Sequence, residues 1–331
     1  MTPAQPNTNV KIAVIGAGSW GCALAMHLAK HNKQVTIWDI DSDVIHQMKE
    51  TGYNDRYLPG IILPKNLNPL TDFKEAISNQ DLILIVVPSH AFRKVIENIK
   101  PHISSNTYIA WATKGLDTNS QQLLSTVVND VMGDRPMACI SGPSFAKEVA
   151  NGQPTVIDIA SNDETLSMLM SQVFNHAHFR LHENPDFVSV QLGGALKNIV
   201  AIAVGMADGL GFGTNTTSAL MTIGLDDIAH LGEVMGADKA SFIGFSGLGD
   251  LILTCTDNQS RNRRFGLALS EGKTEKEALE SIGQVVEGLQ NIELALSLAK
   301  TYQVNLSIAE NLDHVLKGKI SPQEAIKQML S

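Results

Sequence analysis

Cysteine is scarce in this chain of 331 residues: only Cys22, Cys139 and Cys255 occur. They are far apart, odd in number and lack metal-ligand spacing. That excludes a disulfide framework or a cysteine metal centre and suits reduced thiols in a cytosolic protein. Positive charge is also short, with 25 Lys and Arg against 34 Asp and Glu and a net charge of −9. A nucleic-acid partner, which needs a clustered basic face, is therefore not expected. Any site for an anionic substrate must be locally basic, so individual Lys and Arg positions become informative. No uninterrupted apolar run approaches the roughly 18 residues of a spanning helix. Met1–Asn9 is polar and has no apolar core, so it does not read as a secretory signal. These absences imply a soluble, cytoplasmic protein without membrane insertion. No Gly-x-Ser-x-Gly elbow, P-loop, catalytic carboxylate pair, internal repeat or low-complexity segment is found.

What is present begins with the stretch from Val10 to Asp39. Val10-Lys11-Ile12-Ala13-Val14-Ile15 reads as a short buried strand, and Gly16-Ala17-Gly18-Ser19-Trp20-Gly21 follows at once. Cys22–Lys30 is a strong helix former, and Gln34-Val35-Thr36-Ile37-Trp38 is a second β-type run that ends in Asp39. Strand, G-x-G-x-x-G, helix, strand and acid is the order a dinucleotide site requires. Gly16 gives the tight turn, Gly18 clears the approach of the pyrophosphate, and Gly21 lets the helix pack on the strand. The helix N-terminus then offers unpaired N–H groups to the phosphates. A structural βαβ turn without a ligand is the plainer alternative.

Taken in order, Asp41–Glu50 reads as a helix and Gly52–Pro69 as a loop over the nucleotide side, with Tyr57-Leu58-Pro59-Gly60 a tight turn. The run Asp81–Val87 is the strongest buried strand and stops at Pro88-Ser89, where a helix to about Ile99 begins. Strand Thr107–Ala112, helix Gln121–Val131, strand Met137–Ile140, strand Thr155–Ala160 and helix Asp163–Phe174 continue the alternation. The pattern predicts an α/β doubly wound sheet with a few appended strands. Ligands of such sheets lie outside the carboxyl ends of the strands, where Lys114 and Gly142-Pro143-Ser144 fall. Near His182-Glu183-Asn184-Pro185 the pattern turns almost wholly helical. The division expected is a dinucleotide-binding domain over 1–184 and a helical substrate domain over 185–331. Roughly Pro185–Ala207 is apolar on all sides, the mark of a helix buried centrally in its domain. Leu220–Met235 is a second helix with Asp226, Asp227 and His230 along one edge. Gln284–Leu298 and Pro322–Leu330 are amphipathic and expected on the outside.

Within the first of those helices, Lys197 stands among apolar residues. Desolvation there favours the neutral amine, the form that acts as a base. A lysine that snorkels to the surface is the plain alternative. Asp250 follows Gly247-Leu248-Gly249 at a helix start and reads either as a first-turn acid or as a partner for Lys197. Ser260-Arg261-Asn262-Arg263-Arg264 is the densest basic cluster, a solvated helix face or an anion site, since Arg binds phosphate bidentately. Asp226, Asp227 and His230 read as a polar edge, and no metal is expected.

These motifs together resemble one family. Gly16–Gly21, Ala112-Thr113-Lys114-Gly115-Leu116, Ser141-Gly142-Pro143-Ser144-Phe145-Ala146, Gly194-Ala195-Leu196-Lys197-Asn198, Gly249-Asp250 and Ser260-Arg261-Asn262 look like bacterial NAD(P)-dependent sn-glycerol-3-phosphate dehydrogenases, in order from about residue 10 to about 290. The resemblance implies a Rossmann domain followed by a helical domain of the 6-phosphogluconate dehydrogenase type. It implies reduction of dihydroxyacetone phosphate to sn-glycerol 3-phosphate, the precursor of glycerophospholipids. Carried over by position, Lys197 is the general acid/base, and Lys114 and Asp250 act beside it. Lys114, Gly142, Ser144, Lys197, Asp250, Ser260, Arg261 and Asn262 would contact substrate. Ser19, Trp20, Lys114, Ala146, Arg261, Val285 and Glu287 would join the glycines and Asp39 at the cofactor. The small phosphorylated substrate is the implied partner, and a homodimer is the family's expectation.

One segment departs from the family's NADPH-preferring members, which often carry Arg or His just after the second strand. Here Trp38-Asp39-Ile40-Asp41 has no positive charge. An acid at Asp39 would bond a ribose 2′-hydroxyl and repel a 2′-phosphate, so NADH is expected to be preferred over NADPH. Two alternatives stay open: a β-hydroxyacid dehydrogenase of the hydroxyisobutyrate or 6-phosphogluconate type, and a nucleotide sensor that has lost catalysis. The Arg261 cluster speaks against the first, and Lys114, Lys197, Asp250 and Arg261 together speak against the second.

Overall fold

Alternation of buried strands with helices builds the first half of the molecule. The computed structural model describes residues 9–32 and 34–331; Met1–Thr8, which carry most of the reading of the amino terminus as no secretory signal, lie outside the described residues. Two units are distinguished. The first runs to Thr113 and takes in Leu124–Ile140 and Ser144–Pro185, and the second comprises Lys114–Leu123, Ser141–Pro143 and Asp186–Ser331.

In the first unit, β1 (Lys11–Ile15) is buried after its first residue and pairs in parallel with β2 (Gln34–Trp38). Between them runs α1 (Ser19–His31), buried from Gly21 to Ala29. Next come α2 (Ser42–Thr51), β3 (Leu67–Leu70), α3 (Phe73–Ile77), β4 (Leu82–Ile85), α4 (Ser89–Ile99) and β5 (Tyr108–Trp111). Then follow α5 (Leu124–Met132), β6 (Met137–Ser141), α6 (Ala146–Ala150), β7 (Thr155–Ser161), α7 (Glu164–Phe174) and β8 (Phe179–Glu183). The sheet order is β3-β2-β1-β4-β5-β6-β7-β8. Its first six positions follow the doubly wound dinucleotide-binding arrangement, whose topological switch point lies between β1 and β4. Parallel pairing joins β2–β3, β1–β4, β4–β5, β5–β6 and β7–β8 as well. Helix α2 starts at Asp41, whose carboxylate accepts from Asp43 N and Val44 N, and stops at Gly52 with φ 72°.

The structure corrects several expectations here. Leu67–Leu70, which overlaps the end of the expected loop, is an edge strand, and β8 and α3 are elements that no expectation covered. Helix α5 begins at Leu124 and not at Gln121, because Gln121 takes φ 59°, outside helical space.

The second unit is helical around α8 (Phe187–Gly209), in which every residue from Ser189 to Ala207 is buried. Its N-cap Asp186 accepts from Ser189 N at 2.9 Å. By length and composition α8 could cross a membrane, but 89% of its apolar window lies inside the protein, and no other described helix passes that test. Helix α9 (Thr214–Val234) starts earlier than its apolar pattern suggests, capped by Gly213. A wider π-type turn, Phe245–Gly249, leads into α10 (Asp250–Thr256). The remaining helices are α11 (Arg261–Ser270), α12 (Glu275–Ile282), α13 (Glu287–Tyr302), α14 (Ser307–Leu316) and α15 (Pro322–Met329). Leu196, Ile199 and Val200 of α8 share one core with Phe265 of α11 and Ile292 of α13.

Candidate active site

In the first unit the glycine turn has the shape a dinucleotide needs. Gly16 has φ 113°, and a Cβ there would stand 2.3 Å from the Val86 carbonyl oxygen. A Cβ on Gly21 would stand 2.0 Å from the Gly16 oxygen, so only glycine lets α1 pack this close to the strand. At Gly18 a Cβ would meet nothing within 4 Å, which leaves open space where a pyrophosphate would approach. Trp20 adds a buried indole N–H without a hydrogen-bond partner among the described residues. These features fit a bound dinucleotide.

Asp39 is bonded to the turn itself. Its Oδ2 accepts from Ala17 N at 2.6 Å and its Oδ1 from Asp41 N at 2.9 Å. The loop after α2 is stitched to the same turn: buried Asn54 donates to the Ala17 oxygen at 2.8 Å, and Ser19 Oγ donates to the Tyr57 oxygen at 2.6 Å. Ala146 opens α6, which packs on α1, and Ser144 lies two residues before it in the same unit.

In the second unit the structure brings Lys197, Lys114 and Asp250 together. Asp250 is 1% exposed, and each carboxylate oxygen takes a lysine: Oδ1 accepts from Lys197 Nζ at 2.5 Å and Oδ2 from Lys114 Nζ at 2.8 Å. Lys197 also donates to Thr254 Oγ1 at 2.7 Å, and Lys114 to the Gly142 oxygen at 3.2 Å. An ammonium has three hydrogens, so among the described residues each lysine keeps one unspent. Asp250 is thus neither a plain first-turn acid nor a cap. Burial, with a smaller contribution from Lys114, lowers the Lys197 amine to about 8, while Asp250 and Glu287 work the other way. The group of three carries one net positive charge in a desolvated setting, which suits stabilisation of a developing oxyanion.

The basic cluster separates into distinct roles. Arg263 is held by Asp208 at 2.5 Å and donates to Asn258 and the Cys255 oxygen. Arg261, half-buried at the first position of α11, makes no ion pair or hydrogen bond among the described residues, and neither does the guanidinium of Arg264, whose Nε is buried. Ser260 caps the helix by accepting from Arg263 N at 3.2 Å. Asn262 points inward, donating to Asn198 Oδ1 at 2.9 Å and accepting from Gly288 N at 2.9 Å. Its amide is therefore spent on packing α11 against α8 and α13. Glu287 opens α13 and accepts weakly from Asn198 at 3.4 Å, while Val285 is 45% exposed.

Thr254 belongs to this constellation and was absent from the sequence reading. Its hydroxyl donates to the Asp250 backbone oxygen at 2.6 Å while accepting from Lys197. The signal that could have found it is its place four residues after Asp250, on the same helix face.

Residues 11–167 match the N-terminal region of NAD-dependent glycerol-3-phosphate dehydrogenase, and residues 186–327 match the C-terminal region of the same enzyme. A glycerol-3-phosphate dehydrogenase (NAD(P)+) of Yersinia pestis is 46% identical over 327 residues, covering 98% of this chain and 96% of that one. The crystal structure of glycerol-3-phosphate dehydrogenase from Coxiella burnetii superposes with a TM-score of 0.95 at 44% identity, over 98% of this chain and 99% of that one. The Saccharomyces cerevisiae enzyme shares the fold at 23% identity, with a TM-score of 0.84 over 98% of this chain and 100% of that one. With both halves matched and nearly the whole length shared, the chain belongs to the NAD-dependent glycerol-3-phosphate dehydrogenase family of oxidoreductases.

Proposed function

We propose that this chain interconverts dihydroxyacetone phosphate and sn-glycerol 3-phosphate, with Lys197 as proton donor and acceptor, Lys114 at the reacting oxygen and Asp250 holding both. The observation that carries this reading is the buried carboxylate with one lysine on each oxygen and one unspent N–H on each lysine. In the reducing direction negative charge grows on the carbonyl oxygen. Lys197 delivers a proton to it as an ammonium, and Lys114 donates a hydrogen bond. In the reverse direction the neutral Lys197 amine takes the hydroxyl proton, and an amine pulled down to about 8 is available in both forms near neutral pH. When bound, the nicotinamide supplies the hydride chemistry.

Arg261 takes the substrate phosphate, with Ser260 and the first-turn backbone of Asn262 beside it, and so orients the substrate through a part that does not react. Gly142 and Ser144 complete the substrate contacts. Gly16, Gly18, Ser19, Trp20, Gly21, Asp39 and Ala146 serve the dinucleotide; Lys114, Arg261, Val285 and Glu287 are the further cofactor residues that the family resemblance implies. Asp39 favours the 2′-hydroxyl of NADH over the 2′-phosphate of NADPH. The working form is a cytoplasmic homodimer that supplies the backbone of glycerophospholipids.

The test follows oxidation of NADH, and then of NADPH, by the purified full chain with dihydroxyacetone phosphate. Turnover with NADH in excess of NADPH is expected. Silence with both, with a dinucleotide still bound, would move the reading to a β-hydroxyacid dehydrogenase or a sensor.

A further inference from the structure

We propose that Arg56 is the residue through which this chain admits a 2′-phosphorylated dinucleotide, released for that purpose from its ion pair with Asp41. The proposal rests on the reading that the glycine turn holds a dinucleotide with its ribose at Asp39.

Residues 54–57 are fixed to the glycine turn and not merely near it. Asn54 is fully buried, which an amide tolerates only when bonded. Its Nδ2 donates to the Ala17 oxygen at 2.8 Å and its Oδ1 accepts from Tyr57 N at 3.3 Å. From the other side, Ser19 Oγ donates to the Tyr57 oxygen at 2.6 Å. Arg56 lies between these anchors, so the loop carries its guanidinium to the carboxyl end of β2. There it pairs with Asp41 Oδ2 and lies 5.3 Å from the Tyr57 ring centre.

Asp41 is in turn joined to Asp39 through its backbone N–H, 2.9 Å from Asp39 Oδ1. An acid after the second strand marks the ribose 2′ position, and an arginine nearby is what accommodates a phosphate there. The other charged side chains at this corner, Asp39, Asp41 and Asp43, are acids that would repel one. The cation is 15 residues from Asp41 in sequence, so the segment after β2 reads as lacking positive charge while the folded corner has it.

The pair is arranged for exchange. Arg56 is 60% exposed at its side chain and Asp41 29%, and ion pairs of that kind contribute only about 0–1 kcal/mol. A phosphate dianion offers more charge and a bidentate geometry that a shared carboxylate oxygen does not. Asp41 loses little when the guanidinium leaves, since its Oδ1 stays fixed as the cap of α2 through Asp43 N at 3.1 Å and Val44 N at 3.4 Å. With Arg56 on Asp41 the corner favours a 2′-hydroxyl. With Arg56 released it tolerates a 2′-phosphate.

The experiment measures binding of ADP-ribose and of 2′-phospho-ADP-ribose to the full chain by calorimetry, for the unaltered protein, Arg56→Ala and Asp41→Asn. Asparagine keeps the cap and removes the competing charge. Arg56→Ala is expected to weaken 2′-phospho-ADP-ribose about tenfold more than ADP-ribose, the size of one charge-assisted contact. Asp41→Asn is expected to tighten the 2′-phosphorylated ligand several-fold relative to ADP-ribose. Equal effects on the two ligands in both variants would make Arg56 an ordinary surface cation and overturn the proposal. Failure of both ligands to bind the unaltered chain would overturn the dinucleotide reading and the proposal with it.

Discussion

The glycine turn of the first unit and the lysine–carboxylate centre of the second use opposite means. The turn works by lacking side chains: Gly16 and Gly21 leave no room for a Cβ, and a Cβ at Gly18 would meet nothing within 4 Å. The second centre works by accumulating charge where water is scarce, with Asp250 at 1% exposure between two ammonium groups. Backbone recognition needs only six contiguous residues and one acid. Charge recognition needs partners that satisfy each other, because a buried ion without them costs several kcal/mol. Here the partners lie 53 and 136 residues from Asp250. Binding and proton transfer should therefore fail independently of one another.

The largest expected effect follows from removing the proton carrier. Lys197→Ala should lower kcat by about 10³-fold, within the range of a lost general acid/base, while NADH affinity by fluorescence titration changes less than about twofold. Asp250 keeps Lys114 in that variant, so no carboxylate is stranded. Equal losses of kcat and NADH affinity would dissolve the distinction between the two regions. Gly16→Ala should do the reverse. The added Cβ must displace the Val86 carbonyl and adopt φ 113°, so NADH affinity should fall by about 30-fold or more, as for other strained backbone positions. Retained NADH binding in Gly16→Ala would show the turn to be more pliable than its geometry implies.

A subtler change sharpens the second region alone. Asp250→Asn removes the anion that holds the Lys197 amine up, while burial and Lys114 still push it down, so the amine falls below its present value of about 8. Reduction needs the ammonium, so its rate declines as pH rises through that value. In the variant the decline should begin at lower pH. The pH profile of kcat/KM for reduction checks this, and an unshifted midpoint would mean that Asp250 only positions the lysine.

How much of this was legible in the sequence follows from the same contrast. The β1–turn–α1–β2 unit could be read because its parts are contiguous and each glycine has a local reason. Strands β3 and β8 could not, because both lie at sheet edges. An edge tolerates Pro69 in β3 and the largely exposed pattern of β8, so neither carries the apolar run of a central strand. Lys197 announced itself as a charge in an apolar helix, but nothing in the spacing chose between Asp250 as a helix-start acid and Asp250 as its partner. Asn262 looked like part of an anion site, and its amide proves to be committed to Asn198 and Gly288. Arg56 was invisible because a loop, not the strand it serves, delivers it.

Acid should separate the two units by smaller effects of opposite sign. His27 in α1 is buried and bonded to the Phe174 oxygen at 2.8 Å. Burial, and then His31, His176 and Lys30, lower it from 6.5 to about 4 against that hydrogen bond. Its folded value lies below its unfolded one, so the unfolded chain takes the proton first. The stability it contributes is whole above pH 6.5 and is lost as pH falls toward about 4, by roughly 3 kcal/mol at most. Asp227 in α9 is raised by burial from 3.8 to about 6, so there the folded state takes the proton first. Across the same acid range it adds stability to the second unit. Native-state hydrogen exchange, corrected for intrinsic rates, should show the opening free energy of α1 and β8 amides falling with pH while that of α9 and α14 holds or rises. His27→Gln, which keeps a donor and cannot titrate, should flatten the first trend and leave the second. Parallel loss in both units, or no change on His27→Gln, would place the acid sensitivity elsewhere than in His27.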